Sequence, residues 1–322
     1  MINPMDSLYS RLSKRGVSKI FARKLLPDWW DDSLGTVPSA LLQAQLIIST
    51  GMNFELRTLR DSSANIEFAS AHRKFKFNKS VDEASIQLSA EYATGMAKLA
   101  AQAMKSPYAP LGPDALGIRN GLLTTHKCID LAALLDFCNR AGIPVLHISD
   151  LPGKKMDAVA IRQHGRSAIV LCKNASAPYL LFHLAHEIGH IALGHLGSVD
   201  GSLIDVAINS EGSDADELAA DEFAVKLLNG TDARYASSGG FFGAQHLARA
   251  AQSYGESNQI DPGHIVLNYA HAVKNFGLAN AALKLIPNAG GAKTVNQNLL
   301  SQIDFEALSD DQSDMLTKAL AF

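Results

Sequence analysis

The sequence has little cysteine and no long apolar run, and each absence excludes a class of protein. Its three cysteines, Cys128, Cys138 and Cys172, are odd in number and lack C-x-x-C spacing. A disulfide-rich secreted fold is therefore excluded, and we expect reduced thiols that are mostly buried. No apolar stretch is long enough to span a bilayer, and the first 16 residues lack the apolar segment of a secretory signal. We expect a cytoplasmic protein with no membrane partner.

The chain also lacks internal repeats, low-complexity tracts and a large net charge. Its 322 residues carry a net charge of −3, 47% hydrophobic residues and a mean hydropathy of +0.02. These values are typical of a soluble globular protein with a substantial core. The length favours two or three domains.

The small net charge is unevenly distributed along the chain. Residues 1–80 contain 12 Lys and Arg against 7 Asp and Glu, whereas the remainder contains 17 against 25. The basic residues form two clusters: Arg11, Lys14, Arg15, Lys19, Arg23 and Lys24, and Arg73, Lys74, Lys76 and Lys79. A basic N-terminal third predicts either a solvated helical surface or a surface for nucleic acid or an acidic partner. Segment 16–26 faintly resembles the turn and second helix of a helix-turn-helix.

The most informative stretch is 181–195, LFHLAHEIGHIALGH, which contains an H-E-x-x-H motif in an apolar run. Residues four apart share one face of a helix, so His186 and His190 would present two imidazoles side by side. Zinc sites use this pair of ligands. Glu187 would then be placed to hold a water and accept its proton. The alternative for a helical histidine is a hydrogen-bonded core residue.

A catalytic zinc needs a third protein ligand, and the sequence offers one downstream. The glycine and histidine that follow the motif in metzincins are replaced by Leu193 and Leu196, so that class is disfavoured. In segment 214–224, DADELAADEFA, Glu217 and Asp221 lie four apart among apolar residues. Glu217 would complete a site of two histidines and one glutamate, and Asp221 would orient a ligand histidine. An acidic helix start is the alternative for this segment.

The two motifs HLAHEIGHIALGHL and ADELAADEFAVKLL resemble those of the ImmA/IrrE metallopeptidases, the M78 family of bacterial proteases. The resemblance covers roughly residues 125–230. It implies zinc ligands at His186, His190 and Glu217, a general base at Glu187, and the family's Asn/Asp position at Asp221. It also implies a helix-turn-helix repressor or antitoxin as substrate, in a stress or mobile-element response.

We predict a predominantly helical α+β fold, with a zincin-like metallopeptidase core and a small β-sheet between helical N- and C-terminal regions. The linker PYAPLGP at 107–113 divides the chain, and a second breaker follows Gly230. The predicted domains are a helical, basic domain at 1–112, the metallopeptidase core at 113–235 and a helical region at 236–322.

Local patterns predict the elements around the motif. We expect a helix at 129–141, a strand at 144–148 and a hairpin of strands within 157–172. The hairpin is the predicted edge to which an extended substrate would add as a further strand. The polar segment 197–214 predicts a surface loop or a lid over the site. Other helices are expected at 6–26, from 38 to about 49, from about 82 to 104, and at 244–253, 262–276, 278–286, 296–308 and 310–321.

Together these patterns predict a gluzincin-like zinc endopeptidase. The zinc would lower the pKa of its bound water, and Glu187 would take the proton as the water attacks a peptide carbonyl. Two hypotheses from other classes stay open. One is a regulator or antitoxin-like protein that keeps the zincin fold as a scaffold. The other is a DNA-binding regulator that uses the basic N-terminal third.

Overall fold

The structure is a computed structural model that describes residues 3–69, 73–76, 83–163, 165–197, 201–205, 215–232, 243–287 and 290–321. Within these ranges the chain is predominantly helical with one small sheet, which confirms the predicted α+β class. None of the described helices combines the length and the apolar character needed to cross a membrane.

The described helices include most of the predicted ones, with ends displaced by up to six residues, whereas those at 56–60 and 115–122 have no predicted counterpart. In chain order they are α1 Pro4–Lys14, α2 Lys19–Leu25, α3 Pro38–Met52, α4 Leu56–Arg60, α5 Glu83–Ala103, α6 Ala115–Leu122, α7 Leu131–Arg140, α8 Ala177–Ala192, α9 Ala215–Asn229, α10 Ala244–Asn258, α11 Pro262–Val273, α12 Phe276–Leu283, α13 Ala292–Gln302 and α14 Asp310–Leu320. The predicted helix at 6–26 is wrong as a single element. It is divided into α1 and α2 because Gly16 adopts a left-handed φ of 98° between them.

Five described strands form one sheet. They are β1 Arg73–Lys76, β2 Val145–His147, β3 Ala158–Gln163, β4 Arg166–Leu171 and β5 Gly201–Asp205. Their order across the sheet is β1-β5-β3-β4-β2, with β3 antiparallel to both β4 and β5. The expected hairpin is therefore present as β3 and β4.

The prediction that this hairpin forms the free edge of the sheet is wrong. The strand β5 pairs with β3 along 158–162, and β2 pairs with β4, so both hairpin strands lie inside the sheet. The glycine and serine content of 197–214 predicts a loop or lid there. Part of the segment instead forms β5, and 198–200 and 206–214 lie outside the described residues.

Side chains of the hairpin alternate between two hydrophobic cores. Val159 and Ile161 pack into a core shared with α1–α5 and α14, whereas Ala158 and Ala160 face the core that contains α8. The small alanines let α8 approach the sheet closely. A third cluster joins α10, α11 and α12. One face of the sheet thus packs against α8. The predicted division into three domains stays a prediction.

The first basic cluster is largely engaged within the protein. Arg11 donates to the carbonyl oxygen of Leu59 at 3.0 Å, Lys19 pairs with Asp32 at 3.2 Å, and Lys24 pairs with Asp150 at 2.7 Å. The side chains of the second cluster, at 73–79, lie outside the described part of the chain. The alternative of a DNA-binding surface stays a hypothesis.

Candidate metal centre

Helix α8 carries the H-E-x-x-H motif through the protein interior. Fourteen of its 16 residues are buried, among them His183, His186, Glu187 and His190. Polar side chains are costly to bury unless they find partners, so a helix of this kind should be surrounded by polar contacts. The contacts are supplied by α9 and by the turn that ends α8.

The three predicted ligands meet at one point. The Nε2 atoms of His186 and His190 lie 2.9 Å apart, as the spacing of four residues predicts. The carboxylate of Glu217 on α9 completes the group, with Oε2 3.3 Å from Nε2 of His186 and Oε1 3.5 Å from Nε2 of His190. One ligating atom from each residue falls within 4.8 Å of the others, an arrangement that could hold a metal ion.

The chemistry of this donor set fits zinc. Two neutral imidazole nitrogens and one carboxylate are the three protein ligands of a common catalytic zinc site, which leaves one position open. Burial lowers the pKa of His190 to about 4, which keeps the imidazole in the neutral form that a metal requires. Burial alone would raise the pKa of Glu217, but hydrogen bonds with His186 and His190 outweigh it and hold the pKa far below its ordinary value.

Helix α9 reaches the site because small residues line its contact with α8. A Cβ added to Gly189 would lie 3.1 Å from the carbonyl oxygen of Ala220 and 3.2 Å from Cδ1 of Phe223. Ala220 and Phe223 are buried in this contact, whereas Leu218 on the other side of α9 is 53% exposed. The glycine in the motif therefore sets the separation at which Glu217 meets the two histidines.

Each ligand histidine has a partner for its second ring nitrogen. His186 Nδ1 lies 2.9 Å from Oδ1 of Asp221, the residue predicted to orient a ligand. His190 Nδ1 lies 2.8 Å from Nδ1 of His195, whose Nε2 is 3.8 Å from Oδ1 of Asp216. The sequence favours a structural role for His195 and an acidic helix start for Asp216, and it predicts neither residue as part of the metal site. A signal is nevertheless present, since a glycine and a histidine directly follow the end of an apolar helix.

Glu187 is 1% exposed. Burial raises the pKa of the Cys172 thiol, and the carboxylates of Glu187 and Asp157 raise it further. Four of the five predicted site residues are thus in contact: His186, His190 and Glu217 face one point, and Asp221 contacts the second ring nitrogen of His186. Glu187 is the next residue after His186 on the same buried helix.

A cavity of about 740 Å³ opens beside this group, between α8, α9 and α11. Its lining includes Asp221, Phe182, His183 and His264. His183 Nε2 lies 4.0 Å from Oδ2 of Asp157, while its Nδ1 is buried and has no hydrogen-bond partner among the described atoms. A second cavity of similar volume lies between α2, α13 and α14 and includes none of the predicted site residues. Of these two cavities, the one beside Asp221 is adjacent to the predicted metal ligands.

Comparison with known proteins gives one match. Residues 138–259 match the family model of the IrrE N-terminal-like domain, Peptidase_M78. The matched range contains α8, α9 and every predicted site residue. No curated protein and no solved structure gives a significant match to the chain.

Proposed function

Since residues 138–259 match the family model of the IrrE N-terminal-like domain, Peptidase_M78, we propose that the chain is a zinc-dependent endopeptidase of the gluzincin type. One observation carries the proposal. The side chains of His186, His190 and Glu217 present two nitrogens and a carboxylate within 4.8 Å on two packed helices. A peptidase domain that gathers such a donor set in its interior has the ligands of a hydrolytic zinc site.

In this proposal His186, His190 and Glu217 hold the ion, and Asp221 fixes the ring of His186 through its Nδ1–H. When bound, zinc would polarise the peptide carbonyl and make a water acidic enough to react near neutral pH. The distance between α8 and α9 determines how close Glu217 lies to the two histidines, because Glu217 is on α9 and both histidines are on α8.

Glu187 accepts a proton from the water and later donates it to the leaving amine. The water oxygen forms a bond to the carbonyl carbon, and the water proton passes to the Glu187 carboxylate. The same proton then moves to the amide nitrogen as the carbon–nitrogen bond breaks, so that the products are a carboxylic acid and an amine. The acid then loses the second water proton to the amine or to solvent, which leaves a carboxylate and an ammonium group. A buried carboxylate suits this role because few solvent molecules compete for the proton.

The substrate in this proposal is a protein, specifically a helix-turn-helix repressor or an antitoxin in a bacterial stress or mobile-element response. The resemblance of the two motifs to ImmA/IrrE proteases supports this choice. The cavity of about 740 Å³ beside Asp221 is large enough to receive a bulky side chain of such a substrate.

The substitution Glu187→Gln tests the reaction. We expect the variant to keep its zinc and to lose about 10²- to 10⁴-fold in turnover of a fluorogenic combinatorial peptide library, because the amide cannot accept the proton. Glu256→Gln, on the exposed surface of α10, is the matched control and should cleave the library as the wild type does. Full activity of purified Glu187→Gln would overturn the assignment of this residue.

A further inference from the structure

The turn that ends α8 returns a histidine to the metal centre. The helix ends at Ala192, and Gly194 adopts a left-handed φ of 75°. The backbone N–H of His195 then donates to the carbonyl oxygen of His190 at 3.0 Å. This reversal places the His195 ring beside the His190 ring, with centroids 5.0 Å apart, instead of leaving it in solvent. The His195 side chain is 11% exposed.

The contact between the two rings has a defined proton arrangement. Nδ1 of His190 and Nδ1 of His195 are 2.8 Å apart, a hydrogen-bond distance at which one nitrogen must carry the proton and the other must accept it. A metal at Nε2 of His190 requires the lone pair on that nitrogen, so the proton of a neutral His190 ring lies on Nδ1. His190 therefore donates and His195 accepts.

Because His195 accepts at Nδ1, the protonation of its other ring nitrogen, Nε2, is also fixed. If Nδ1 of His195 is unprotonated, the proton of the neutral ring lies on Nε2, which faces Oδ1 of Asp216 at 3.8 Å. Asp216 immediately precedes Glu217 on α9, so it lies on the helix that brings the third ligand. The ring nitrogens of His190 and His195 thus each have one protonation state that is consistent with a metal at Nε2 of His190.

We propose that His195 is a positioning residue that fixes the ring orientation and tautomer of His190 for metal binding, and that the carboxylate of Asp216, 3.8 Å from Nε2 of His195, favours the required tautomer of His195 electrostatically. This inference rests on the proposed zinc site and extends it to residues outside the motif. The two ligand histidines are then oriented by different devices, His186 by the carboxylate of Asp221 and His190 by the imidazole of His195. Groups that orient a ligand imidazole typically contribute about 10- to 100-fold in metal affinity.

The test is a zinc affinity measurement by competition with a chromophoric chelator, on four variants with the wild type. The fold of each metal-free protein is checked by its thermal unfolding. We expect His195→Ala to weaken zinc binding about 10- to 100-fold. His195→Gln should retain most of the affinity, because its amide oxygen can accept from Nδ1 of His190. Asp216→Ala should weaken binding to a smaller extent. His246→Ala, exposed on α10, is the matched control and should bind zinc as the wild type does.

The rescue by glutamine separates positioning from a purely structural role. A structural role would lower the unfolding temperature of the metal-free protein and would not distinguish alanine from glutamine in zinc affinity. Unchanged affinity in His195→Ala, or equal losses in His195→Ala and His195→Gln, would overturn this inference alone. A wild-type chain that binds no zinc would overturn the proposed function and this inference together.

Discussion

At the scale of single residues, the candidate metal centre is a set of buried polar groups that face each other. His190 is fully buried and touches Glu217 on one nitrogen and His195 on the other. His186 repeats the arrangement with Glu217 and Asp221. Since an unpartnered buried polar group costs free energy, each of these side chains depends on its neighbours for stability as well as for chemistry.

His264 gives a residue-scale prediction about acid stability. Burial lowers its pKa to about 3, and the nearby charge of Arg119 contributes. The unfolded chain takes up a proton near pH 6.5, whereas folded His264 stays neutral down to about pH 3. Below pH 6.5 this residue therefore reduces the free energy of unfolding by about 1.4 kcal/mol per pH unit. Between pH 7 and pH 5 the loss is about 2 kcal/mol.

The substitution His264→Gln should remove this loss, because glutamine does not titrate and its amide N–H can still donate to Oδ1 of Asn229. The measurement is the free energy of unfolding by urea at pH 7 and pH 5, with metal removed from both proteins. His246→Gln, at an exposed position, is the control and should keep the wild-type pH dependence. The same pH dependence in His264→Gln as in the wild type would contradict the argument.

At the scale of elements, the crossing of α8 and α9 positions the third ligand. A Cβ at Gly189 would lie 3.1–3.2 Å from atoms of Ala220 and Phe223, which is closer than ordinary van der Waals contact. The nearest atoms of Ala220 belong to the backbone, so relief requires α9 to move as a unit. Glu217 is carried on that helix and would move with it.

We therefore expect Gly189→Ala to lower zinc affinity and to destabilise the protein by about 1–3 kcal/mol, despite the higher helix preference of alanine. Gly121→Ala is the matched control, because nothing lies within 4 Å of a Cβ at this helical position. The control should be neutral or more stable by up to about 1 kcal/mol. Thermal unfolding and chelator competition measure both effects. A Gly189→Ala protein with full affinity and raised stability would show that the two helices are not in close contact at this position.

Elements differ in how far the sequence predicts them. The 3.6-residue periodicity marks α7, α8 and the C-terminal helices, and the motif spacing alone is enough to put His186 and His190 on one helix face. The strand β5 is not predictable in this way, because its segment GSLID lies in a glycine- and serine-rich stretch and forms a strand through its pairing with β1 and β3. For the same reason the sequence indicates a hairpin but does not show which strands form the sheet edges.

The residues of the site also differ in whether a local sequence pattern predicts them. Asp221 is predictable because it lies four residues after Glu217 on one helix face, a local pattern. His195 and Asp216 are not, because their meeting depends on a turn at Gly194 and on the packing of α9 against α8. Contacts between distant segments are set by tertiary packing, on which local periodicity carries no information.

At the scale of the whole molecule, the first and last helices contribute to one core. Met5 and Leu12 of α1 are buried in the same cluster as Leu316 and Leu320 of α14. Lys318 on α14 donates to the carbonyl oxygen of Leu26 at 3.0 Å. The sheet passes between this core and the one around α8, so the candidate metal centre is supported by segments far outside the matched range 138–259.

The measurement that tests the metal centre most directly is the metal content of the purified protein by elemental analysis after dialysis against zinc. Wild type, Glu217→Ala and Glu222→Ala are compared. Glu222 is exposed on α9 and serves as the matched control. We predict about one zinc per chain in the wild type and in Glu222→Ala, and much less in Glu217→Ala. No zinc in the wild type, or an unchanged content in Glu217→Ala, would contradict a metal centre formed by His186, His190 and Glu217.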